Sequence, residues 1–255
     1  MLASGLNQII DFAPAAWALM AGAVLLGALV KGVFGIGFPF IAMPLMAIVA
    51  GVPTAIALLA VPIVVANLFQ VWQEGLDGVP TRFWTLILAL IPGTWLGTEL
   101  LLLLEPRILL LIMGVSIIVF CGLQLSRLPI RIPRSAEPWL APIVGFTSGI
   151  LGGLTAFFGA PMMIFMLSIE MRRDQFVATI GLIYLFCGLF LLGSLALRGL
   201  IAFDSALAGM VLCAPMALGM VGGARIRRML PAESFVPAVL VLLLMIGLGV
   251  VGRAL

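Results

Sequence analysis

The chain has 255 residues, a net charge of +3, 64% hydrophobic residues and only 9% charged residues, with a mean hydropathy of +1.33. Soluble domains carry about 25% charged residues, so a water-soluble globule is excluded and the chain reads as a polytopic membrane protein. Histidine is absent, which removes histidine-ligated metals, Ser-His-Asp catalysis and histidine proton relays in one step. No cofactor and no metal is expected. The basic excess does not point to nucleic acid, because the arginines stand between apolar runs, where topology-setting charges belong. Cys121, Cys187 and Cys213 lie inside apolar segments and read as small buried side chains. Met1 to Asp11 has no basic region before the first apolar run, so that first segment reads as a retained span and not a cleaved signal peptide.

Five runs, at 12–30, 108–126, 175–197, 205–224 and 234–252, contain no Asp, Glu, Lys or Arg. Each approaches the ~20 residues needed to cross a bilayer core. In chain order, Ala13 to Val30 predicts a first helix, followed by a glycine-rich break at Lys31–Pro39. A short apolar element, Phe40 to Ala50, ends at Gly51-Val52-Pro53. Thr54 to Trp72 predicts a span, and a polar loop follows at Gln73–Arg82, with turn residues Gly75, Asp77, Gly78 and Pro80. Phe83 to Leu104 and Ile108 to Leu125 predict two more spans around Glu105-Pro106-Arg107. Ser126–Pro138 is the most polar stretch and divides the chain nearly in half.

The second half repeats this order. A helix over Trp139 to Ile150 is expected to break at Leu151–Thr155. A short element, Ala156 to Ser168, leads to a loop at Glu170–Asp174. Spans are predicted over Gln175 to Leu197, Ser205 to Ala224 and Phe235 to Val251, with a turn at Arg198–Asp204 and a loop at Arg225–Glu233. Shifting the first half by about 117 positions brings Gly32 onto Gly149, Gly35 onto Gly152, Pro44 onto Pro161 and Asn67 onto Tyr184. The expected organisation is a first repeat at 1–126, a cytoplasmic linker at 127–138 and a second repeat at 139–255.

Charge sets the sidedness. With five segments per half, Lys31, Arg82, Arg127, Arg131, Arg134, Arg172, Arg173, Arg225, Arg227 and Arg228 collect on one side, and only Arg107, Arg198 and Arg253 on the other. The positive-inside rule makes the first side cytoplasmic and both termini extracytoplasmic. Five is odd, so the second half enters the membrane inverted. Two breaks reaching the bilayer interior from opposite sides are how secondary transporters build a substrate site.

The glycine-rich break Gly35-Ile36-Gly37-Phe38-Pro39, the downstream Pro44, the Gly-Val-Pro turn and the weaker second copy resemble the TauE/SafE family of sulfite and organosulfonate exporters, also called the 4-toluene sulfonate uptake permease family. The likeness covers nearly the whole chain. Many members carry several adjacent glycines where this sequence has Gly35-Ile36-Gly37-Phe38-Pro39, and Phe38 and Pro39 depart from that pattern. The resemblance implies transport of small, often sulfur-containing anions across the inner membrane.

The residues themselves agree with an anion. Helix ends opened at a glycine break expose backbone N–H groups, and glycine lets an oxyanion approach them. Gly35, Gly37, Gly152 and Gly153 are the candidates, with Phe38 beside them; the plain alternative is close helix packing. The pairs Gly145/Gly149, Gly93/Gly97 and Gly219/Gly223 have the four-residue spacing of that alternative and are assigned to it. Lys31 is the only lysine. It either attracts an anion inside the site or snorkels to the cytoplasmic surface. Asn67 and Tyr184 offer polar atoms in mid-span, for substrate or for helix association. Thr147, Ser148 and Thr155 offer hydroxyls near the second break, or bond back to their own helix. Glu99 is the most interior carboxylate, a candidate for proton coupling or an interfacial side chain.

The expectation is an all-α polytopic membrane protein of two inverted five-segment repeats with broken or re-entrant helices. Its partners would be the lipid bilayer and a small sulfite, sulfonate or carboxylate anion, moved by alternating access; its oligomeric state, monomer or homodimer, stays open. An anion channel would need a wet polar pore. A membrane-embedded sulfur-transfer protein would need a cysteine with a charge nearby to lower its pKa.

Overall fold

The computed structural model describes residues 12–76, 81–126, 131–169, 171–229 and 232–255, and every element among them is helical. The first half contains α1 (Pro14–Phe34), α2 (Phe38–Ala50), α3 (Val52–Glu74), a 3₁₀ turn (Thr81–Phe83), α4 (Trp84–Leu103) and α5 (Pro106–Leu125). The second contains α6 (Glu137–Thr155), α7 (Gly159–Ser168), α8 (Arg173–Leu197), α9 (Phe203–Met229) and α10 (Ala232–Ala254). Among the described residues, six stretches are long and apolar enough to cross a membrane, in α1, α3, the 3₁₀ turn with α4, α5, α8 and α9. The expected turn residues Asp77, Gly78, Pro80, Arg127 and Glu170 lie outside the described residues, as does Met1 to Asp11.

Both breaks are shorter than expected, and the second lies elsewhere. α1 continues past Lys31 to Phe34 and α2 starts at Phe38, so the first break is Gly35–Gly37. Gly35 (φ 78°) and Gly37 (φ 114°) both take left-handed backbone there, which glycine adopts without a steric penalty. α6 is helical through the glycines of Leu151–Thr155, and the second break is Ala156–Phe158. Ala156 supplies the left-handed turn (φ 52°), and the Thr155 hydroxyl accepts the Phe157 N–H at 3.2 Å. The glycines thus mark helix packing, and the break falls just after them. Consistently, the ends of α1 and α6, and the starts of α2 and α7, are each 121 positions apart. The glycine overlay is out by one helical turn. The expected loop at Arg225–Glu233 is also corrected: α9 stays helical to Met229, carrying its arginines on a helical extension.

The halves interlock. α1 packs on α9 and α4 on α6, α3 packs on α8 and α5 on α10, and α3–α9 contact is matched by α4–α8 contact. Exchanging the halves maps this set of neighbours onto itself. The closest seams are built by glycines. At Gly153 a Cβ would lie 2.5 Å from the Thr94 carbonyl oxygen and 2.9 Å separates a Cβ at Gly97 from the Gly153 Cα. The matching seam brings Gly223 against Leu29 and Gly32, and Gly145 sits on the Leu86 carbonyl. Lipid tails are as apolar as leucine, so membrane helices associate through such close backbone approach. The three glycine pairs assigned to packing have this geometry.

Contacts between connecting segments define two ends of the bundle. At one end Ile132 N–H bonds the Ser168 carbonyl at 3.1 Å, and Arg82 Nη1 pairs with Glu137 Oε2 at 3.1 Å. At the other, Arg107 reaches the carbonyls of Ala254 and Leu255, Arg253 reaches the Ile48 carbonyl, and Arg198 pairs with Glu99. Of the arginines in these contacts, Arg82 lies at the first end and Arg107, Arg198 and Arg253 lie at the second.

Candidate functional site

The polar centre of the first half is built on three helices. Lys31 is buried (5% exposed) on the last turn of α1. Its Nζ donates to Asn67 Oδ1 at 2.7 Å and Gln70 Oε1 at 2.5 Å, with the Gly35 carbonyl at 3.5 Å. Asn67 and Gln70 are one turn apart on α3 and therefore share a face. Their NH₂ groups are committed elsewhere: Asn67 Nδ2 to the Ile63 carbonyl at 2.7 Å, and Gln70 Nε2 to the Val177 carbonyl of α8 at 3.0 Å. That fixes both amides with their oxygens toward the ammonium. Among the described residues, Lys31 thus has only neutral acceptors.

This cluster opens into a cavity of about 240 Å³, lined by Lys31, Gly35 and Gln70 at its inner wall and by Gln73, Glu74, Arg225, Arg227 and Arg228 toward the bundle end. Four cations against one carboxylate give the cavity a positive field, and its low-dielectric walls focus that field. Of the first break, Gly35 lines this cavity. A second cavity of about 230 Å³ touches the other side of the same break. It is apolar, lined by Phe34, Ile36, Gly37, Phe40 and Phe120 among others.

The two breaks approach each other through aromatic rings. Phe40 on the first turn of α2 meets Phe157 of the second break edge-to-face, with centroids 4.4 Å apart, and Phe120 closes on Phe40 at 5.3 Å. Phe158 stands edge-on to Tyr184 at 6.1 Å.

Of the ten residues expected to bind substrate, Lys31, Gly35 and Asn67 meet in the polar cluster, with Gly37 alongside. Phe38 is buried, with its carbonyl against Gly27. The five in the second half lie outside the Lys31 cluster and its cavity. A Cβ at Gly152 would overlap the Phe158 ring, and Gly153 packs against α4. Thr155 bonds the Leu151 carbonyl at 2.8 Å and caps the break. Ser148 is buried in that seam with its hydroxyl unpartnered. Tyr184 is also buried with an unpartnered hydroxyl, beside Phe158 and not beside Lys31. Glu99 is half-exposed and bonded to Arg198 at 2.7 Å. Gln70 was missed by the sequence reading, although an amide one helical turn from Asn67 inside a span was the available signal. The arginines of α9 were read only as topology determinants.

The family model described as "Sulfite exporter TauE/SafE" matches residues 19–250 of the chain. Among curated proteins and among solved structures, nothing matches. The match spans every helix described above except the tips of the first and last. The chain belongs to the TauE/SafE sulfite exporter family.

Proposed function

From that membership we propose that the protein is a secondary transporter for a small oxyanion, sulfite or an organosulfonate, and that Lys31 is the charge it binds. One observation carries the reading: the sole lysine is buried, held by two oriented amides instead of a carboxylate, and faces a cation-lined cavity. A buried ammonium within a membrane span is costly unless it is used. Neutral amide oxygens stabilise it without cancelling its charge, so an arriving oxyanion still gains the full ion-pair interaction. Gly35, which lines the same cavity, lets the anion approach the backbone beside Lys31. Arg225, Arg227 and Arg228 raise the local anion concentration at the mouth.

In this reading the Lys31 end is cytoplasmic, by the positive-inside rule. Both termini are extracytoplasmic, and the protein sits in the inner membrane as two inverted halves, residues 1–126 and 139–255. The Phe40–Phe157–Phe120 cluster closes the path between the breaks, and rocking of the interlocked halves opens it toward the opposite end. Tyr184 and Ser148, buried with unpartnered hydroxyls, are the polar atoms available to an anion once that path opens. Glu99 remains the candidate for proton coupling, since protonating it frees Arg198. The closed aromatic contact favours a transporter over an open channel.

The test is a counterflow screen in proteoliposomes. Vesicles preloaded with sulfite, taurine, sulfoacetate or a small carboxylate are tested for exchange with external labelled anion under imposed pH gradients. Saturable exchange of at least one sulfur oxyanion is expected. Ohmic conductance without counterflow would establish a channel instead, and movement of none would overturn the anion reading.

A further inference from the structure

The bundle end opposite Lys31 carries a second buried cation, Arg198, which the sequence marks only as a topology charge. Arg198 follows the last turn of α8, some twenty residues or about 30 Å along the helix from Val177, which touches the Lys31 cluster. Its side chain is 8% exposed and its guanidinium stacks on the Trp95 ring, 4.0 Å from the centroid. Nη1 donates to Ser194 Oγ at 2.7 Å, and Ser194 Oγ lies 2.5 Å from Thr98 Oγ1. Nη2 donates to one Glu99 carboxylate oxygen at 2.7 Å and to the Trp95 carbonyl at 3.2 Å. The adjacent Nε on the same edge of the guanidinium is buried and has no partner. Nε and Nη2 together form a two-donor fork, the geometry that matches two oxygens of a single oxyanion, and here its Nε donor is unused. Moreover, the elements that carry it, α4 and α8, correspond under exchange of the halves to α9 and α3, which line the Lys31 cavity.

We propose that Arg198 is a second anion-binding station, at the far end of the substrate path, and that the Glu99 carboxylate is its resident competitor. This rests on the oxyanion-transport reading above. An incoming sulfite or sulfonate displaces Glu99 and spans Nε and Nη2 with two oxygens. Trp95 holds the guanidinium plane, and Ser194, braced by Thr98, fixes its other edge. Glu99 is 48% exposed in its side chain, so it can swing into solvent when displaced. The same carboxylate then returns and expels the anion, which keeps the station from trapping its ligand.

The experiment measures labelled sulfite uptake into spheroplasts and into inverted membrane vesicles, which present opposite faces, for the wild type, Glu99→Gln and Arg198→Lys. Glu99→Gln removes the competing charge and should lower the half-saturating sulfite concentration at the face carrying Arg198, while Arg198→Lys keeps the charge but loses the fork and should raise it roughly tenfold. The two variants should therefore move half-saturation at that face in opposite directions. A purely structural ion pair would instead reduce folded protein or maximal rate at both faces alike. The proposal is overturned if both variants leave half-saturation at the Arg198 face unchanged, or shift it in the same direction, while wild-type transport is intact. If the wild type moves no sulfur oxyanion from either face, it is the transport reading that fails, and this proposal falls with it.

Discussion

Lys31 Nζ and Gln70 Oε1 lie 2.5 Å apart, joining the end of α1 to α3 directly before the first break. Asn67 supplies the second neutral oxygen, and among the described residues the ammonium has only neutral acceptors. Because Asn67 Nδ2 bonds its own helix, Asn67→Leu chiefly removes an acceptor from a buried cation. Hydrogen bonds to charged groups contribute about 1.5–3 kcal/mol, so the variant should lose stability of that order in detergent unfolding. The double variant Lys31→Met/Asn67→Leu should recover most of it, because the unpaired charge is gone. Strict additivity of the two substitutions would show that the contact contributes nothing.

The glycine seams predict a contrast between substitutions of identical chemistry. At Gly145 and Gly223 an added Cβ runs into backbone carbonyls of Leu86 and Leu29, whereas Gly22 has nothing within 4 Å. Overpacking costs about 1–3 kcal/mol, while Gly→Ala in an open helical position stabilises by up to about 1 kcal/mol. Gly145→Ala and Gly223→Ala should therefore lower the unfolding midpoint and Gly22→Ala should hold or raise it.

Arg225, Arg227 and Arg228 act in the proposed mechanism by field and not by contact. Replacing all three with glutamine should raise KM for the anion at that face with little change in kcat. The defect should shrink as salt rises, because surface charges are screened within about 8–10 Å near physiological ionic strength. A change in kcat that ignores salt would place them in the moving parts instead.

Sidedness can be read by single-cysteine labelling in a background without the three native cysteines. A cysteine at Arg134 should react with an impermeant maleimide only from the cytoplasmic face, and one at Phe203, which is exposed at the opposite end, only from outside. The reverse pattern would invert the proposed orientation.

How far the sequence reached follows from what each residue type reports. Charge-free runs located the helices but not all of their ends, because bilayer thickness and charge cost act on every residue alike while α1, α6 and α9 run on past the expected stops. Glycines were less faithful. Gly35 and Gly37 sit at a break, while Gly149, Gly152 and Gly153 sit inside α6, where the missing side chain makes room for Thr94, Gly97 and Phe158. Both uses leave the same letter in the sequence, and small residues spaced by four allow a register to slip by one turn. Ala156 carries the second break with no such letter. Lys31 and Asn67 were legible as polar residues in apolar spans. That they meet each other, and that Gln70 joins them, depends on how α1 and α3 pack, and no periodicity within either helix encodes that.

The central claim is that Lys31 carries the bound anion. Equilibrium binding of labelled sulfite to the purified protein tests it directly, comparing the wild type with Lys31→Met, each shown to be folded by its unfolding transition. Loss of a buried ion pair should weaken binding by at least roughly tenfold, the equivalent of about 1.4 kcal/mol. Undiminished sulfite binding by folded Lys31→Met would contradict the account.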